Sequence, residues 1–341
     1  MPPGAHARIT VVVPFLNEAQ NLPPLLERLT AALAAEPVAF EVLFVDDGSS
    51  DGSPAWVAER ATQDPRVKLL RLSRNFGHQL AITAGMDHAA GDAVVIMDAD
   101  LQDPPEVVPA LVRRWREGHE VVYAVRTSRS GESWTKRLLA ATFYKAFRRM
   151  ANVDVPLDSG DFRLVDRKVI DALKQVRELH RFVRGLTCWV GFSQSAVPYE
   201  RAARHAGVTK YPVWKSMRLA WDAITSFSSM PLRLMTTAGL LVSFAGLVQA
   251  VRVVVDRLLY PNSMERGWAS LAAIMLVLGG VQLISLGLIG QYVGRIFEES
   301  KKRPLYFVKE TIGLGAFESR GRVVGDIVSP VVDEKEWEAN R

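Results

Sequence analysis

The chain has 341 residues, about two domains' worth at roughly 150 residues each. It is 48% hydrophobic and 23% charged, with 24 glycines and 18 prolines scattered without period, which excludes a disordered tail, a collagen-like chain and a coiled-coil rod. A single cysteine, Cys188, excludes an intramolecular disulfide or a Cys-cluster zinc site, and a net charge of +5 suits anionic partners without choosing among nucleic acid, phospholipid and phosphorylated substrates.

In chain order, the opening Met1–Arg8 lacks the apolar run of a secretory signal. Short β-branched runs then alternate with amphipathic stretches. The pattern predicts strands over Ile9–Pro14, Glu41–Val45, Val67–Leu72 and Ala93–Met97. Helices are expected over Leu22–Ala35, Ser53–Thr62 and Gln79–Ala89. Continuous apolar strands between helices imply a mainly parallel sheet covered on both faces. Cys188 reads as a small buried apolar residue.

Further on, Leu139, Phe143, Ala146 and Met150 recur at helical spacing beside five basic residues. Trp214, Met217, Trp221, Ile224 and Phe227 do the same beside Lys215 and Arg218. Basic amphipathic helices of this kind lie on anionic membranes, although an ordinary core-facing helix has the same spacing. Residues 234–251 and 267–294 carry no charge. Eighteen helical residues rise about 27 Å, close to the ~30 Å hydrocarbon core of a bilayer, so both stretches are expected to span it. Gly287, Gly290 and Gly294 allow close helix packing and hence a homo-oligomer in the membrane. Lys215, Arg218 and Arg233 precede the first span, and Arg295, Lys301, Lys302 and Arg303 follow the second. The positive-inside rule then puts both termini and the large amino-terminal domain in the cytoplasm.

The expected organisation is a catalytic domain over 1–211, an interfacial helix over 212–230, spans over 231–256 and 267–294, an extracytoplasmic connector over 257–266 and a cytoplasmic tail over 295–341.

Ligands of parallel sheets sit at the carboxyl ends of the strands. Three polar, acidic tips meet there: Pro14-Phe-Leu-Asn-Glu18, Asp46-Asp-Gly-Ser-Ser-Asp-Gly52 and Asp98-Ala-Asp100-Leu-Gln102-Asp103. Clustered carboxylates raise one another's pKa, and a divalent cation with a hydrogen-bonding ligand would relieve them. On extended chain Asp98, Asp100 and Gln102 share a side, so they can approach one ion. Two carboxylates with diphosphate oxygens and water give the oxygen shell that Mg²⁺ or Mn²⁺ prefers. No phosphate-binding G-x-x-x-x-G-K-[ST] loop or dinucleotide G-x-G-x-x-G turn is present at these tips. The basic residues flank the apolar stretches and form no aromatic-basic groove, so a nucleic-acid partner is not expected.

These three motifs resemble those of the inverting family 2 glycosyltransferases of GT-A fold. Asp158-Ser-Gly-Asp161-Phe-Arg-Leu164 and Arg204-His-Ala-Gly-Val-Thr-Lys-Tyr-Pro212 are similar to motifs of the polyprenyl-phosphate members, and the two apolar stretches to the bacterial undecaprenyl-phosphate type. The resemblance covers about residues 9–300. It departs at Thr209, where relatives often carry serine; the hydroxyl is kept. The Q-x-x-R-W acceptor motif of processive synthases is absent, which favours one sugar per turnover.

The resemblance implies a nucleotide-diphospho-sugar transferase fold in a bacterial inner-membrane, multi-pass protein. A nucleotide sugar, UDP-linked by analogy, would lie against Pro14, Asn17, Glu18, Val45, Asp47, Asp98, Ala99, Asp100 and Arg126. A metal would sit on Asp98, Asp100 and Gln102. The polyprenyl phosphate and the diphosphate would meet Arg184, Arg201, Arg204, Thr209 and Lys210. Asp161 is the implied catalytic residue, as base or as sugar-orienting carboxylate; a helix cap or core aspartate is the structural alternative. Another lipid acceptor such as diacylglycerol, or a non-catalytic membrane scaffold, remains open on the residues alone.

Overall fold

In the computed structural model the described residues are 7–127, 159–200, 230–259 and 268–314. The amphipathic stretches at 139–150 and 214–227, most of the connector, and Arg201, Arg204, Thr209 and Lys210 lie outside them.

The elements run β1 (Arg8–Phe15), α1 (Leu22–Ala34), β2 (Ala39–Asp46), α2 (Ser53–Gln63), β3 (Val67–Leu72), α3 (His78–His88), β4 (Ala93–Ile96), α4 (Val108–Arg116), β5 (Val121–Arg126), β6 (Ser159–Asp166), α5 (Arg167–Leu173), α6 (Val183–Trp189), β7 (Gln194–Tyr199), α7 (Met230–Leu259), α8 (Trp268–Ser300) and β8 (Val308–Ile312). One eight-stranded sheet has the order β7-β5-β6-β4-β1-β2-β3-β8. The run β4-β1-β2-β3 is parallel, as is β5 with β7. Strand β6 pairs antiparallel with β4 and β5, and β8 pairs antiparallel with β3.

Alternation along each strand divides the core into two layers. Ile9, Val11, Val13 and Phe15 of β1 pack in the layer of α1, α2 and α4, while Val12 joins the layer of α3, α5 and α6. Helix α1 supplies Leu22, Leu25, Leu29 and Leu33, one apolar face at three- and four-residue spacing. Strand order reverses between β1 and β4, so the crevice outside their carboxyl ends is the topological switch point of the sheet.

Charge at the opposite, amino-terminal end is fully paired. Glu41, 2% exposed, accepts from Thr10 Oγ1 at 2.7 Å, meets Lys68 Nζ at 2.6 Å and is also bonded by Arg8. Burial pushes its pKa up, but the bonds from Lys68 and Thr10 and the charges of Lys68 and Arg8 outweigh it and hold the carboxyl below its ordinary range.

Helices α7 and α8 carry their apolar residues outward: Leu240, Phe244, Leu258 and Leu283 are each more than 65% exposed. Among the described residues one helix, Val277–Ser300, is long and apolar enough to cross a membrane, and Leu234–Gln249 is a shorter apolar helix. Strand β8 lies within residues 295–341, the expected cytoplasmic tail. The chain returns after α8 and completes the edge of the catalytic sheet. Cys188 is half-buried rather than buried, with its thiol 3.7 Å from Gln194 Oε1.

Candidate functional site

Four strand tips build the site. After β1 the chain turns through Asn17, which takes a left-handed φ of 58°. Its Oδ1 accepts from Ser50 N at 2.8 Å, and its N–H donates to Ser49 Oγ at 3.0 Å. Glu18 N donates to Ser53 Oγ at 3.0 Å, and the Glu18 carboxylate accepts from Asn21 Nδ2 at 2.6 Å. Asn17 and Glu18 therefore lock the β1 tip to the β2 tip. Pro14 is buried beneath them. Val45 is fully buried in the α3 layer, so a ligand can meet its backbone but not its side chain.

At the β2 tip, Asp47 is 4% exposed and accepts from Phe76 N at 2.7 Å and Gly77 N at 3.0 Å. Burial raises its pKa against the pull of those two N–H groups and of His78. Gly48 is required here. Its φ is +81°, and a Cβ would lie 2.7 Å from Asn75 N, so the β2 and β3 tips touch backbone to backbone.

The β4 tip differs from the expected extended chain. Strand β4 ends at Ile96, residues 99–100 turn, and Leu101 has a left-handed φ of 59°. Simple alternation therefore does not set Asp98, Asp100 and Gln102 side by side. The turn is closed by the Gln102 backbone N–H, which donates to Asp100 Oδ1 at 3.1 Å. Ala99 is buried within it. Asp98 Oδ1 is buried without a hydrogen-bond partner, although the carboxyl as a whole keeps 31% of its surface. His78 Nε2 lies 3.3 Å from that oxygen, close enough for charge attraction but outside hydrogen-bond geometry. Burial, then the neighbouring Asp103, Asp161 and Asp100, push the Asp98 pKa up to about 6 against the pull of His78.

Strand β6 brings in Asp161 from across the sheet, 6% exposed. Arg184 of α6 holds it through Nε at 2.7 Å and Nη2 at 3.1 Å, and Gln79 Nε2 donates at 3.2 Å. His78 Nε2 lies 3.3 Å from Asp161 Oδ2, the oxygen that Gln79 and Arg184 Nη2 also bond. Burial would raise the Asp161 pKa, but Arg184 and His78 drive it far below the carboxylate range. It is a fixed anion, poorly suited to accept a proton. The His78 ring is lifted above its ordinary value by Asp161 and Asp98, against its own desolvation.

Arg126 closes the β5 side. Its Nε donates to Tyr199 Oη at 3.3 Å, and Tyr199 donates to the buried Asp103 at 2.5 Å. Gly160 leaves it room, since a Cβ there would lie 3.2 Å from Arg126 Nη2. Arg184, expected on a phosphate, is first of all the partner of Asp161.

His78 and Gln79 are the residues that sequence reasoning missed. Their signal is positional: Asn75-Phe-Gly-His-Gln79 directly follows β3, where the same rule that singles out the other tips applies.

The donor set fits a hard divalent cation, because Asp98 offers an unpaired buried oxygen and Asp100 a second carboxylate. Among the described residues no group of three or more His, Cys, Asp or Glu side chains could hold a metal alone.

Comparison with known proteins places the chain by family. Residues 10–174 match the family model described as glycosyl transferase family 2, and residues 230–296 match the GtrB C-terminal hairpin. The uncharacterized glycosyltransferase YkcC of Bacillus subtilis is 48% identical over 309 residues, covering 91% of this chain and 95% of that protein. The bactoprenol glucosyl transferase of Shigella phage SfV is 40% identical over 302 residues, covering 89% and 98%. Among solved structures, a mannosyltransferase from Pyrobaculum calidifontis, in complex with GDP-Man and Mn²⁺, overlays with a TM-score of 0.44 at 19% identity, covering 86% and 88%; a likeness that loose carries no argument.

Proposed function

Because the chain belongs to the family 2 glycosyltransferases, we propose that it transfers one sugar from a nucleotide sugar, UDP-linked by preference, to a polyprenyl phosphate at a bacterial inner membrane. The observation that carries this reading is the unpaired Asp98 oxygen at the switch point, one histidine away from the fully paired Asp161. That pairing of an open carboxylate with a closed one suits a cation-bridged diphosphate beside an oriented sugar.

Asn17, Glu18 and Asp47 would hold the nucleoside side through their locked loops, and Arg126 the diphosphate side. Asp98 and Asp100, with Gln102, would hold Mg²⁺ or Mn²⁺. When bound, such an ion offsets the charge that builds on the departing diphosphate. The acceptor phosphate oxygen forms a bond to the anomeric carbon as the bond to the diphosphate breaks, and the diphosphate leaves with the electron pair. In-line attack inverts the centre, so an α-linked donor gives a β-linked product. The second pKa of a phosphate monoester is near ~6, so the acceptor is already a dianion at neutral pH and needs no base. The depressed pKa of Asp161 supports this acceptor over a hydroxyl such as that of diacylglycerol, which would need a proton acceptor. Asp161 then orients the sugar and fixes Arg184. Arg201, Arg204, Thr209 and Lys210 complete the phosphate site in this reading.

The outward apolar surfaces of α7 and α8 and the match to a C-terminal hairpin support two spans, with the catalytic domain and both termini cytoplasmic. Among the described residues, nothing beyond the helix's own neighbouring backbone lies within 4 Å of a Cβ placed at Gly287, Gly290 or Gly294, which supports a second copy packing on that face. A lipid acceptor would then never leave the bilayer, which it cannot do cheaply at about 0.8 kcal/mol per CH₂.

The test offers membranes containing the protein a panel of radiolabelled nucleotide sugars with undecaprenyl phosphate. The lipid phase is then chromatographed. Label appearing in an alkali-labile neutral glycolipid, or in no lipid from any donor, would refute the proposal.

A further inference from the structure

The strand that follows the membrane helices sits where two nucleotide loops are joined. Seven residues separate the end of α8 from β8, and they are pinned. Leu305 is buried, and Tyr306 Oη donates to Asp87 Oδ2 of α3 at 2.9 Å, on a carboxylate that also accepts from Arg177 at 2.6 Å. Phe307 O then accepts from Ser73 N at 2.9 Å, and the Phe307 ring lies 6.3 Å from that of Phe76.

Phe76 is the residue whose N–H holds Asp47. Further along the strand pair, Arg71 on β3 faces Glu310 on β8 in register. Arg71 Nη1 donates to Glu310 Oε2 at 2.9 Å, and its Nε to Asp46 Oδ2 at 3.2 Å. The other oxygen of Asp46 accepts from Ser49 N at 2.8 Å and so sets the β2 loop. Two separate lines thus run from β8 and the residue before it to the two aspartates that precede Gly48: Phe307–Phe76–Asp47 and Glu310–Arg71–Asp46.

We propose that β8 is a positioning element for the donor site, with Glu310 and Phe307 as positioning residues that hold the β2 and β3 tips in their nucleotide-binding arrangement. The inference rests on the nucleotide-sugar reading above. It assigns a role to a segment in which sequence motifs give no signal. Because β8 continues from α8, it also makes the donor loops depend on a strand whose place is set by the membrane helix. The alternative, that β8 merely covers a sheet edge, predicts a different result. Glu310 is 45% exposed and Phe307 55% exposed, so neither contributes much to global stability. If they matter, they matter through the loops they hold.

The test uses the full-length protein in nanodiscs, with Glu310→Arg and Phe307→Ala, and Glu310→Asp as the conservative control. Binding of uridine diphosphate with Mn²⁺ is measured by calorimetry, and KM is measured separately for donor and for undecaprenyl phosphate. A weakening of roughly twofold to fivefold in nucleotide affinity and donor KM is expected, the scale of one lost ion pair, with acceptor KM and melting temperature unchanged. Glu310→Asp should recover most of the loss. Unchanged nucleotide affinity in both variants, or a fall in kcat and melting temperature without a donor KM shift, would overturn the inference alone. A wild-type protein that binds neither uridine nor guanosine diphosphate would overturn the nucleotide-sugar reading and this inference together.

Discussion

Both ends of the parallel sheet bury acidic side chains, and only one end pairs them all. At the amino-terminal edge Glu41 meets Lys68, Thr10 and Arg8, and its pKa falls. At the carboxyl-terminal edge Asp47 and Asp98 are raised, and Asp98 keeps an oxygen without a partner. The same residue types thus serve two ends. A paired carboxylate is part of the fold, whereas an unpaired one is a cost that the fold carries for something it binds. Asp161, beside Asp98, repeats the paired case inside the site itself.

The largest expected effect separates the two ends directly. Asp98→Asn should cut sugar transfer roughly 10²- to 10³-fold, the scale of removing one charge-stabilising group. Its melting temperature should change little, because Asp98 Oδ1 makes no hydrogen bond and only the charge attraction of His78 is lost. A variant that loses activity only by unfolding would break the comparison.

Glu41→Gln should do the reverse: kcat and KM unchanged, but stability lower by about 3 kcal/mol in a denaturant titration at pH 7, since Lys68 is left without its buried partner. The folded pKa of Glu41 lies below its ordinary 4.5. Its contribution is therefore present above that value and is lost as the pH falls through the folded pKa. The gap between wild type and variant should close in that acidic window; a gap that widens there would reverse the assignment.

Asp161→Asn should lower turnover about 10²-fold while the pH–rate profile keeps following the ~6 ionisation of the acceptor phosphate. A profile that loses its acidic limb in the variant would make Asp161 the base after all. The smallest effect is a melting shift. Mn²⁺ and uridine diphosphate at ten times their dissociation constant should stabilise wild type by about 1.4 kcal/mol, and Asp98→Asn much less. Equal shifts in both proteins would remove Asp98 from the metal.

Much of this was legible in the residues. The strands β1 to β4 and the helices between them lie within two residues of the expected bounds, because runs such as Val11-Val-Val13 and Val94-Val-Ile96 fit only a strand buried on both faces. Three of the four site tips follow those strands directly. The β3 tip was legible by the same rule and passed over, since His78 and Gln79 belong to no motif. The geometry of Asp98-Ala-Asp100 was misread, because alternation holds only on extended chain and Leu101 turns left-handed.

The sequence by itself determined the parallel half of the sheet, the acidic character of its carboxyl edge, the two long apolar stretches and the family. Each of these depends on residues close together in the chain, where periodicity and motif spacing are direct expressions of local geometry. Only the tertiary structure decided which carboxylates are paired. Asp161 meets Arg184 and Gln79 from 23 and 82 residues away, and Arg71 meets Glu310 across 239. The balance of burial against such distant charges sets each pKa, and no local pattern encodes it.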